Sequence, residues 1–452
     1  MGIRRFGVVG SGLSGLLAAH ALRKAGHEVT LYTDRSATQW LERSKPTGAA
    51  ARFAPALAYE RALGLAHWED EAPKIGGAHL TICPQVGNRL FTVAGRLSAP
   101  GQAIDLRLQS HRWMNDFEAG GGELVIGALD VDQLDAISAR HDLVLVAAGR
   151  GPLAELFPRH AQRSVYSAPQ RKVAMAIVTG GPRGLAGLPF LPFKINIVVP
   201  HGEAFFLPYH HRDHGPTWCL GFEPRPGSAM DRFDGCTTGA DVVETGKAIV
   251  RDLMPWEADW VESVELADPN AWQVGAITPT IREPVGRLPS GRAVMALGDT
   301  AMSLDPIAAQ GANLGSRLVR HLASTIAEEP DAMFDAGWMT ATFEAFWAEH
   351  GAPAVTFNNL LLEPMTPAGM LLMISQYGGG TRMTTARKQR IADAILENFA
   401  DPRRITKAFA DVAAARALIA ELTGHSWRRE MLSGALHVGS GQLRRMFGIS
   451  PA

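Results

Sequence analysis

The chain has 452 residues, a formal net charge of −1 and 46% hydrophobic residues, which is enough apolar material for a core divided over two or three domains. A charge near zero gives no field that would attract nucleic acid or an anionic membrane. No run of about 18 consecutive apolar residues predicts a transmembrane helix. Three cysteines without a Cys-x-x-Cys pair favour a reducing compartment over a disulfide framework. We therefore expect a cytoplasmic globular protein that acts on small molecules.

The chain opens with a predicted βαβ unit: a strand over residues 6–9, a helix over 16–25 and a second strand over 28–33. The turn between the first strand and the helix has the G-x-G-x-x-G spacing, which is typical of dinucleotide binding in this context. Its glycines let the backbone approach a pyrophosphate, and the helix N-terminus supplies a favourable field. The residues that we expect to bind the dinucleotide are Gly10, Gly12, Leu13, Ser14 and Gly15.

The second strand usually ends in Glu or Asp, which binds the adenosine ribose. Here Thr33 stands at that place, and Asp34 and Arg35 follow. We expect these three residues to lie near the adenosine. A solvated charge at the strand end is the alternative for Arg35.

The middle of the chain changes from alternating helices and strands to strands alone. A buried strand over residues 142–148 ends at Gly149, where the chain would pass the cofactor. Short alternating strands then follow from residue 168 to residue 277, and strands without intervening helices favour an antiparallel sheet in a separate layer. We take Phe206, on one of these strands, as a substrate-binding residue. The cluster of residues 210–214 invites a metal-site reading, but a polar hairpin tip explains it equally well, so we predict no metal site.

A second motif surrounds Asp299. An apolar strand over residues 293–297 places this carboxylate at the carboxyl end of a parallel strand, where open α/β sheets bind nucleotides. Pro306 can open the next turn, and a helix begins at residues 310–313, so its unpaired N–H groups would face a ligand there.

This second motif carries a family resemblance. Gly298-Asp299, Pro306 and Gln310-Gly311-Ala312-Asn313 resemble the second FAD fingerprint of the glutathione-reductase-type flavoprotein monooxygenases. With Asp305 before the proline, the motif is similar to that of the two-component styrene and indole monooxygenases, and the Tyr-Thr-Asp-Arg ending of the second strand resembles the same family. The resemblance implies FAD as cofactor, with Asp299 on a ribityl hydroxyl and the backbone of Gly311, Ala312 and Asn313 facing the flavin ring.

The resemblance also implies two further sites. Residues 98–108 resemble the family's pattern and make Arg107 a flavin-phosphate contact, with an exposed helix arginine as the alternative. Arg52 and Phe53 stand where styrene-specific members carry a His-Asn pair in the substrate cavity. For Arg52 the alternative is a salt bridge to a nearby Glu.

Beyond residue 313 the pattern predicts helices interrupted by Pro353, Pro364 and Pro367. The predicted helices span residues 314–328, 333–349, 367–376, 384–398 and 404–423. Their apolar faces predict packing against the body or against a second subunit of a homodimer. We predict an α/β protein with a Rossmann-like FAD-binding domain (residues 1–72, 99–167 and 278–345), an inserted antiparallel β-sheet substrate domain (73–98 and 168–277) and a C-terminal helical region (346–452).

The resemblance implies a monooxygenase in which reduced FAD and O₂ transfer one oxygen atom to a small aromatic or apolar substrate, by epoxidation or sulfoxidation. No side chain need act as nucleophile or general base. The one dinucleotide fingerprint is used for FAD and the chain leaves no room for a fused reductase, so we expect a separate NADH-dependent flavin reductase. The alternatives are a single-component NAD(P)H-dependent aromatic hydroxylase, a halogenase, whose Trp-x-Trp-x-Ile signature we do not find, or a non-catalytic FAD-binding protein.

Overall fold

The computed structural model describes residues 2–46, 48–182, 184, 187–376 and 386–446. The strands are β1 (Arg5–Val9), β2 (Glu28–Thr33), β3 (Ile75–Cys83), β4 (Phe91–Gly101), β5 (Glu123–Ile126), β6 (Leu143–Val146), β7 (Lys172–Thr179), β8 (Leu191–Val198), β9 (Gly202–His211), β10 (Gly215–Pro224), β11 (Glu265–Leu266), β12 (Trp272–Ala276), β13 (Thr280–Ile281), β14 (Val285–Arg287), β15 (Ala293–Ala296) and β16 (Met302–Ser303). The helices are α1 (Leu13–Lys24), α2 (Ala37–Arg43), α3 (Ala54–Leu63), α4 (Leu106–Ala119), α5 (Val131–Ser138), α6 (Gly239–Leu253), α7 (Ala258–Glu262), α8 (Gly311–Glu328), α9 (Ala336–Phe346), α10 (Ala352–Leu362), α11 (Pro367–Gln376), α12 (Ala386–Ala400), α13 (Thr406–Ala410), α14 (Val412–Thr423) and α15 (Trp427–Met446). Within these ranges, no helix combines the length and the apolar character needed to cross a bilayer.

The chain divides into two compact units, each assembled from three segments. Unit 1 comprises residues 1–70, 104–170 and 277–352, and unit 2 comprises residues 71–103, 171–276 and 353–452. These breaks lie near the predicted segment boundaries. The C-terminal helices, which the sequence sets apart as a region of their own, group with the strands of unit 2.

Unit 1 is built on a six-stranded sheet in the order β14-β15-β6-β1-β2-β5. The pairs β1–β2, β1–β6, β6–β15 and β2–β5 are parallel, and β14 joins antiparallel at the edge. The central strands are buried on both faces, as their apolar runs predict. Phe6 and Leu145, for example, have no exposed surface.

Two helices of unit 1 pack closely because small residues line their contact. α1 buries Gly15, Leu16 and Ala19, and its first turn meets the start of α8. A Cβ on Gly315 would lie only 2.4 Å from Ser14 Oγ. A larger residue at position 315 would therefore force the two helices apart.

Unit 2 contains an eight-stranded sheet in the order β11-β7-β10-β9-β8-β3-β4, with β12 also on β7. Most pairs are antiparallel, as predicted, but β3 and β8 run parallel. The sequence prediction missed this pair because β3 belongs to an earlier segment of the chain and joins the sheet from outside the hairpin series. Helices α6 and α7 cover one face, where Phe206, Phe222 and Trp260 join the core.

The C-terminal helices pack on strand β4. A Cβ on Gly95 would lie 2.5 Å from the carbonyl oxygen of Ala392 in α12, and Gln389 Nε2 donates to the carbonyl of Ala94 (2.8 Å). The prediction for α11 agrees with the structure, whereas α10 and α15 were missed. Pro353, taken as a break, does not interrupt the helical conformation: the π-helical turn Trp347–Gly351 leads directly into α10, and Pro353 is the second residue of that helix.

Candidate cofactor site

Four segments of unit 1 that follow parallel strands leave the sheet at one edge. β1, β2, β6 and β15 are joined by continuous parallel pairing, so their carboxyl ends lie side by side. Thr300 Oγ1 donates to the carbonyl of Gly149 (3.1 Å) and ties two of these segments together. The structure thus brings both glycine motifs, residues 33–35 and Gly149 to the same edge of the sheet.

The first glycine turn contains two kinds of glycine. Gly10 has φ +109°, and a Cβ there would lie 2.3 Å from the carbonyl oxygen of Ala147. A Cβ on Gly15 would lie 1.9 Å from the carbonyl oxygen of Gly10. Gly12, in contrast, has ordinary extended φ and no described atom within 4 Å of its Cβ position. Packing of the protein therefore requires glycine at 10 and 15, whereas at 12 the described protein gives no such reason, and the close approach of a pyrophosphate stays a prediction.

The residues at the start of α1 differ in their surroundings. Leu13 is the first residue of the helix and is partly exposed. Ser14 Oγ fills the space beside Gly298 and Gly315: a Cβ on Gly298, which has φ +59°, would lie 2.6 Å from it. Ser14 therefore packs the two glycine motifs against each other. A contact between Ser14 and the dinucleotide stays a prediction.

Asp299 lies in a short 3₁₀ turn, Gly298–Thr300. Its side chain is reached by solvent, but protein atoms crowd its surroundings, and this desolvation raises the pKa of the carboxyl above its usual range, while the charges of Arg150 and Arg282 act against the rise. Its Oδ1 lies 3.8 Å from the Cβ position of Gly311, the first residue of α8. An accessible carboxylate beside a helix that starts without a side-chain cap is suited to accept a hydrogen bond from a ligand hydroxyl.

The approach to α8 follows the prediction. Pro306 begins a 3₁₀ turn, Pro306–Ala308, and Asp305 caps this turn by accepting from the N–H of Ile307 (3.1 Å). Gly311 and Ala312 open the helix and are partly exposed, whereas the side chain of Asn313 is buried. The first turn of α8 therefore offers backbone rather than side chains to a ligand.

The end of β2 is a network of polar and aromatic contacts. Thr33 Oγ1 and Ser11 Oγ lie 2.5 Å apart, and Trp40 Nε1 donates to Ser11 Oγ (2.7 Å). Arg35 forms two hydrogen bonds with Asp34 (2.8 and 3.0 Å), which lower the pKa of that carboxyl, and its guanidinium lies 4.6 Å from the Trp40 ring centroid. Arg35 is therefore packed and paired rather than free in solvent. Asp34, with 55% of its side chain exposed, stays the accessible polar group here.

Arg107 is completely buried, so the alternative of an exposed helix arginine was wrong. Its Nε and Nη2 donate to the carboxylate of Asp105, with the shortest distance 2.7 Å, and Asp105 also caps α4. Neither side chain has exposed surface. A contact between Arg107 and a flavin phosphate stays a prediction, and it would require this pair to rearrange.

Arg52 forms the buried ion pair that was its alternative. Its Nε lies 2.5 Å from Glu60 Oε1, and the two side chains are 1% and 2% exposed. Burial raises the pKa of Glu60, and the positive charge of Arg52 acts against this rise. Phe53 is 2% exposed and precedes α3. Both side chains are enclosed within unit 1, and a contact of Arg52 or Phe53 with a substrate stays a prediction.

Phe206, expected to contact a substrate, lies in the core of unit 2, and the expected contact stays a prediction. It has no exposed surface, and its ring stacks on Trp260 with centroids 4.4 Å apart and planes 10° from parallel. Alternation along β9 turns this side chain toward the face covered by α6 and α7. Its role in the structure is to pack the core of unit 2.

The histidine cluster forms a hydrogen-bonded tip. His211, Asp213 and Asp268 bring their potential ligand atoms within 4.8 Å of one another. However, His211 Nδ1 accepts from the backbone N–H groups of Asp213 and His214, so the neutral ring carries its proton on Nε2 and donates it to Asp268 (2.7 Å). A metal on Nε2 would displace that proton. Nδ1 cannot take it up, because Nδ1 already accepts from backbone N–H groups, so this tautomer argues against a metal site.

Sequence reasoning missed several neighbours of the predicted residues. Arg150 and Arg282, which influence Asp299, and Glu60, which pairs with Arg52, were not identified. Arg150 directly follows Gly149 and could have been found from the strand end. Arg282 comes from another strand pair, and no spacing in the sequence connects it with Asp299.

Comparisons with known proteins agree with this arrangement. The family model of the styrene monooxygenase A substrate-binding domain matches residues 149–259, and the model of an NAD(P)-binding Rossmann-like domain matches residues 8–38. The chain is 26% identical over 332 residues to styrene monooxygenase StyA of Pseudomonas fluorescens, covering 72% of this chain and 77% of the relative.

Two solved structures show the likeness in fold. A flavoprotein/dehydrogenase from Cytophaga hutchinsonii has a TM-score of 0.63 at 12% identity, covering 93% of this chain and 99% of that one. The tetrameric form of 2-methyl-3-hydroxypyridine-5-carboxylic acid oxygenase has a TM-score of 0.54 at 16% identity, covering 80% and 90%.

The two kinds of glycine predict different variant phenotypes. Gly12→Ala should leave the free energy of unfolding of the cofactor-free protein within about 0.5 kcal/mol and weaken FAD binding about tenfold or more, because the new methyl group meets the ligand and not the protein. Gly15→Ala should lower the free energy of unfolding by about 3 kcal/mol, the upper range for overpacking. Urea denaturation and FAD titration check both variants. Equal destabilisation by the two substitutions would contradict the distinction.

The ionised carboxylate of Asp299 should lower the free energy of unfolding of the cofactor-free protein and, at the same time, strengthen FAD binding. Asp299→Ala should weaken FAD by about 1.5 to 3 kcal/mol, the range for a charge-assisted hydrogen bond. Because the pKa of the folded state lies above the ordinary 3.8, folding favours the protonated carboxyl, and stability decreases as pH rises through the raised pKa. Asp299→Asn should therefore raise Tm at pH 7 and leave it unchanged below pH 3.8. A lower Tm at pH 7 would show that the ionised carboxylate stabilises the fold.

Arg52→Ala should lower the free energy of unfolding by about 3 to 5 kcal/mol, because it leaves the buried Glu60 carboxylate unpaired. The loss should shrink as the pH approaches 4.5, the ordinary pKa of a glutamate, since a protonated Glu60 needs no partner. The double variant Arg52→Met with Glu60→Leu serves as the control and should recover most of the stability. If Arg52→Ala were instead fully stable and changed the ranking of substrates about tenfold, Arg52 would contact substrate.

Proposed function

We propose that this chain, an FAD-dependent monooxygenase related to styrene monooxygenase, uses externally reduced FAD and O₂ to add one oxygen atom to a small aromatic or apolar substrate. The reaction would be an epoxidation or a sulfoxidation. The observation that carries the proposal is the match of the styrene monooxygenase A substrate-binding domain to residues 149–259, which contain strands β7 to β10. This segment lies between the two FAD motifs in the sequence.

The residues of unit 1 fit FAD at three points. The turn at Gly10 to Gly15 would hold the pyrophosphate, with room for it above Gly12. Asp299 would accept a ribityl hydroxyl, and the first turn of α8 at Gly311 would present backbone N–H groups to the flavin ring. When bound and reduced, FAD supplies the activation of O₂ and the transfer of one oxygen atom.

The protein itself would contribute binding, orientation and the exclusion of water. We assign no nucleophile or general base. The buried pairs Arg52–Glu60 and Arg107–Asp105 would hold the backbone around the cofactor instead of reacting with a ligand, since both pairs are enclosed.

The proposed partner is a separate NADH-dependent flavin reductase. The single G-x-G-x-x-G turn is assigned to FAD, and no second one follows a strand in the sequence. The proposed compartment is the cytoplasm, because three cysteines without a Cys-x-x-Cys pair favour a reducing compartment over a disulfide framework.

An anaerobic mixing experiment tests the reductase requirement. Purified protein with oxidised FAD and NADH or NADPH should leave the flavin absorbance unchanged, because no second G-x-G-x-x-G turn in the sequence follows a strand. Adding a generic flavin reductase, O₂ and a panel of styrene, indole and aryl sulfides should then yield products that carry one added oxygen atom. Rapid bleaching without reductase would point to a single-component hydroxylase, and peroxide as the sole product across the panel would point to a non-catalytic FAD-binding protein.

A further inference from the structure

Two non-glycine residues of the described chain have a positive φ, Ala50 (+42°) and Ala309 (+53°). In this region the Cβ of an L-residue crowds its own backbone, so such residues persist where their surroundings hold them. Ala50 and Ala309 are far apart in sequence. Both lie next to the same buried side chain, that of Asn313.

The amide of Asn313 joins these two strained segments. Its Nδ2 donates to the carbonyls of Ala309 (2.7 Å) and Ala51 (2.8 Å), and its Oδ1 accepts from the N–H of Phe53 (2.9 Å). The side chain is 2% exposed. Both donor hydrogens and the oxygen are therefore used, and a flipped amide would place donor against donor and acceptor against acceptor.

A second anchor holds the same segment from its other side. Arg52 Nη1 donates to the carbonyl of Ala50 (3.0 Å), and its Nε pairs with Glu60 of α3. Residues 50–53 are thus fixed between α3 and the start of α8. The sequence resemblance places two of these residues, Arg52 and Phe53, at the substrate side and residues 311–313 at the flavin side.

We propose that Asn313 is a positioning residue, whose side-chain amide fixes residues 50–53 at one distance from the helix start that faces the flavin ring. This inference rests on the proposed function. Oxygen transfer requires the substrate to be held within near-contact distance of its oxygen donor, and a displacement of about 1 Å can cost about a hundredfold in rate. Asn313 would therefore determine how much of the consumed O₂ reaches the substrate.

The first test is structural and needs no turnover. Asn313→Asp keeps the size and the acceptor for Phe53 but turns an oxygen toward two carbonyls, and Asn313→Ala removes all three hydrogen bonds. In the cofactor-free protein, we expect the Phe53 amide to exchange at least about tenfold faster in both variants than in the wild type. Asn115→Asp, an exposed amide on α4, is the matched control and should exchange as the wild type does.

The second test separates positioning from cofactor binding. With supplied reduced FAD, the ratio of product to O₂ consumed should fall at least about tenfold in Asn313→Asp, while the Kd for FAD stays within about threefold of wild type. A parallel loss of FAD affinity, or unchanged Phe53 exchange with lost coupling, would overturn the proposal in favour of a direct cofactor contact. Unchanged coupling would overturn it as well.

Two outcomes keep this inference separate from the proposed function. If the wild type forms no product from any substrate while Asn313→Asp still accelerates exchange of the Phe53 amide, the oxygenase reaction is rejected. The inference that Asn313 holds residues 50–53 in place is then still supported. If neither variant folds, exchange of the Phe53 amide in the wild type is the test. An amide that exchanges as fast as an unprotected amide would overturn the inference that Asn313 holds residues 50–53 in place.

Discussion

The close approach of two glycine motifs is the constraint on which unit 1 depends. The turn after β1 can pass beneath the end of β6 only if residue 10 lacks a side chain, and α1 can start against that turn only if residue 15 does. On the other side, Ser14 fills the space left by Gly298 and Gly315. The first and second FAD motifs, separated by most of the chain, are thereby packed against each other at van der Waals distance. Alanine at position 10 or 15 would meet a backbone oxygen, and alanine at position 298 or 315 would require the Ser14 side chain to move.

This constraint explains why the sequence predicts the backbone elements around the two glycine motifs so well. Backbone geometry that admits glycine alone leaves a signature that spacing can detect, and a strand on each side confirms the setting. The prediction that Asp299 follows a parallel strand, that Pro306 opens a turn and that a helix starts near Gly311 agrees with the structure. The C-terminal helices were predicted less well, since a proline usually ends a helix, whereas Pro353 follows a π-helical turn and the chain continues as α10.

Side-chain roles were harder to predict than backbone positions because the sequence does not show which charged residues are buried and paired. Arg52, Arg107 and Arg171 are among the largest fully buried side chains of the described chain. Each is paired with a carboxylate, that of Glu60, Asp105 and Glu203 respectively. The partners stand at three unrelated separations in sequence, so no periodic pattern could reveal them. Only the fold brings them together.

Buried ion pairs add little net stability, because desolvation offsets most of their attraction, but they tolerate little change in geometry. Two of the three buried arginines, Arg52 and Arg107, lie in segments that the sequence assigns to the substrate or the cofactor. The segment around Arg52 also contains Ala50, which has a positive φ, and is hydrogen-bonded by the side chain of Asn313. An enzyme whose chemistry is supplied by a cofactor needs few reactive side chains but a fixed backbone around that cofactor. Buried ion pairs that fix the backbone, together with the accessible carboxylate of Asp299, which can bind a ligand, are consistent with this requirement. We therefore explain the buried charges of unit 1 by their effect on backbone geometry and not by a chemical reaction with a ligand.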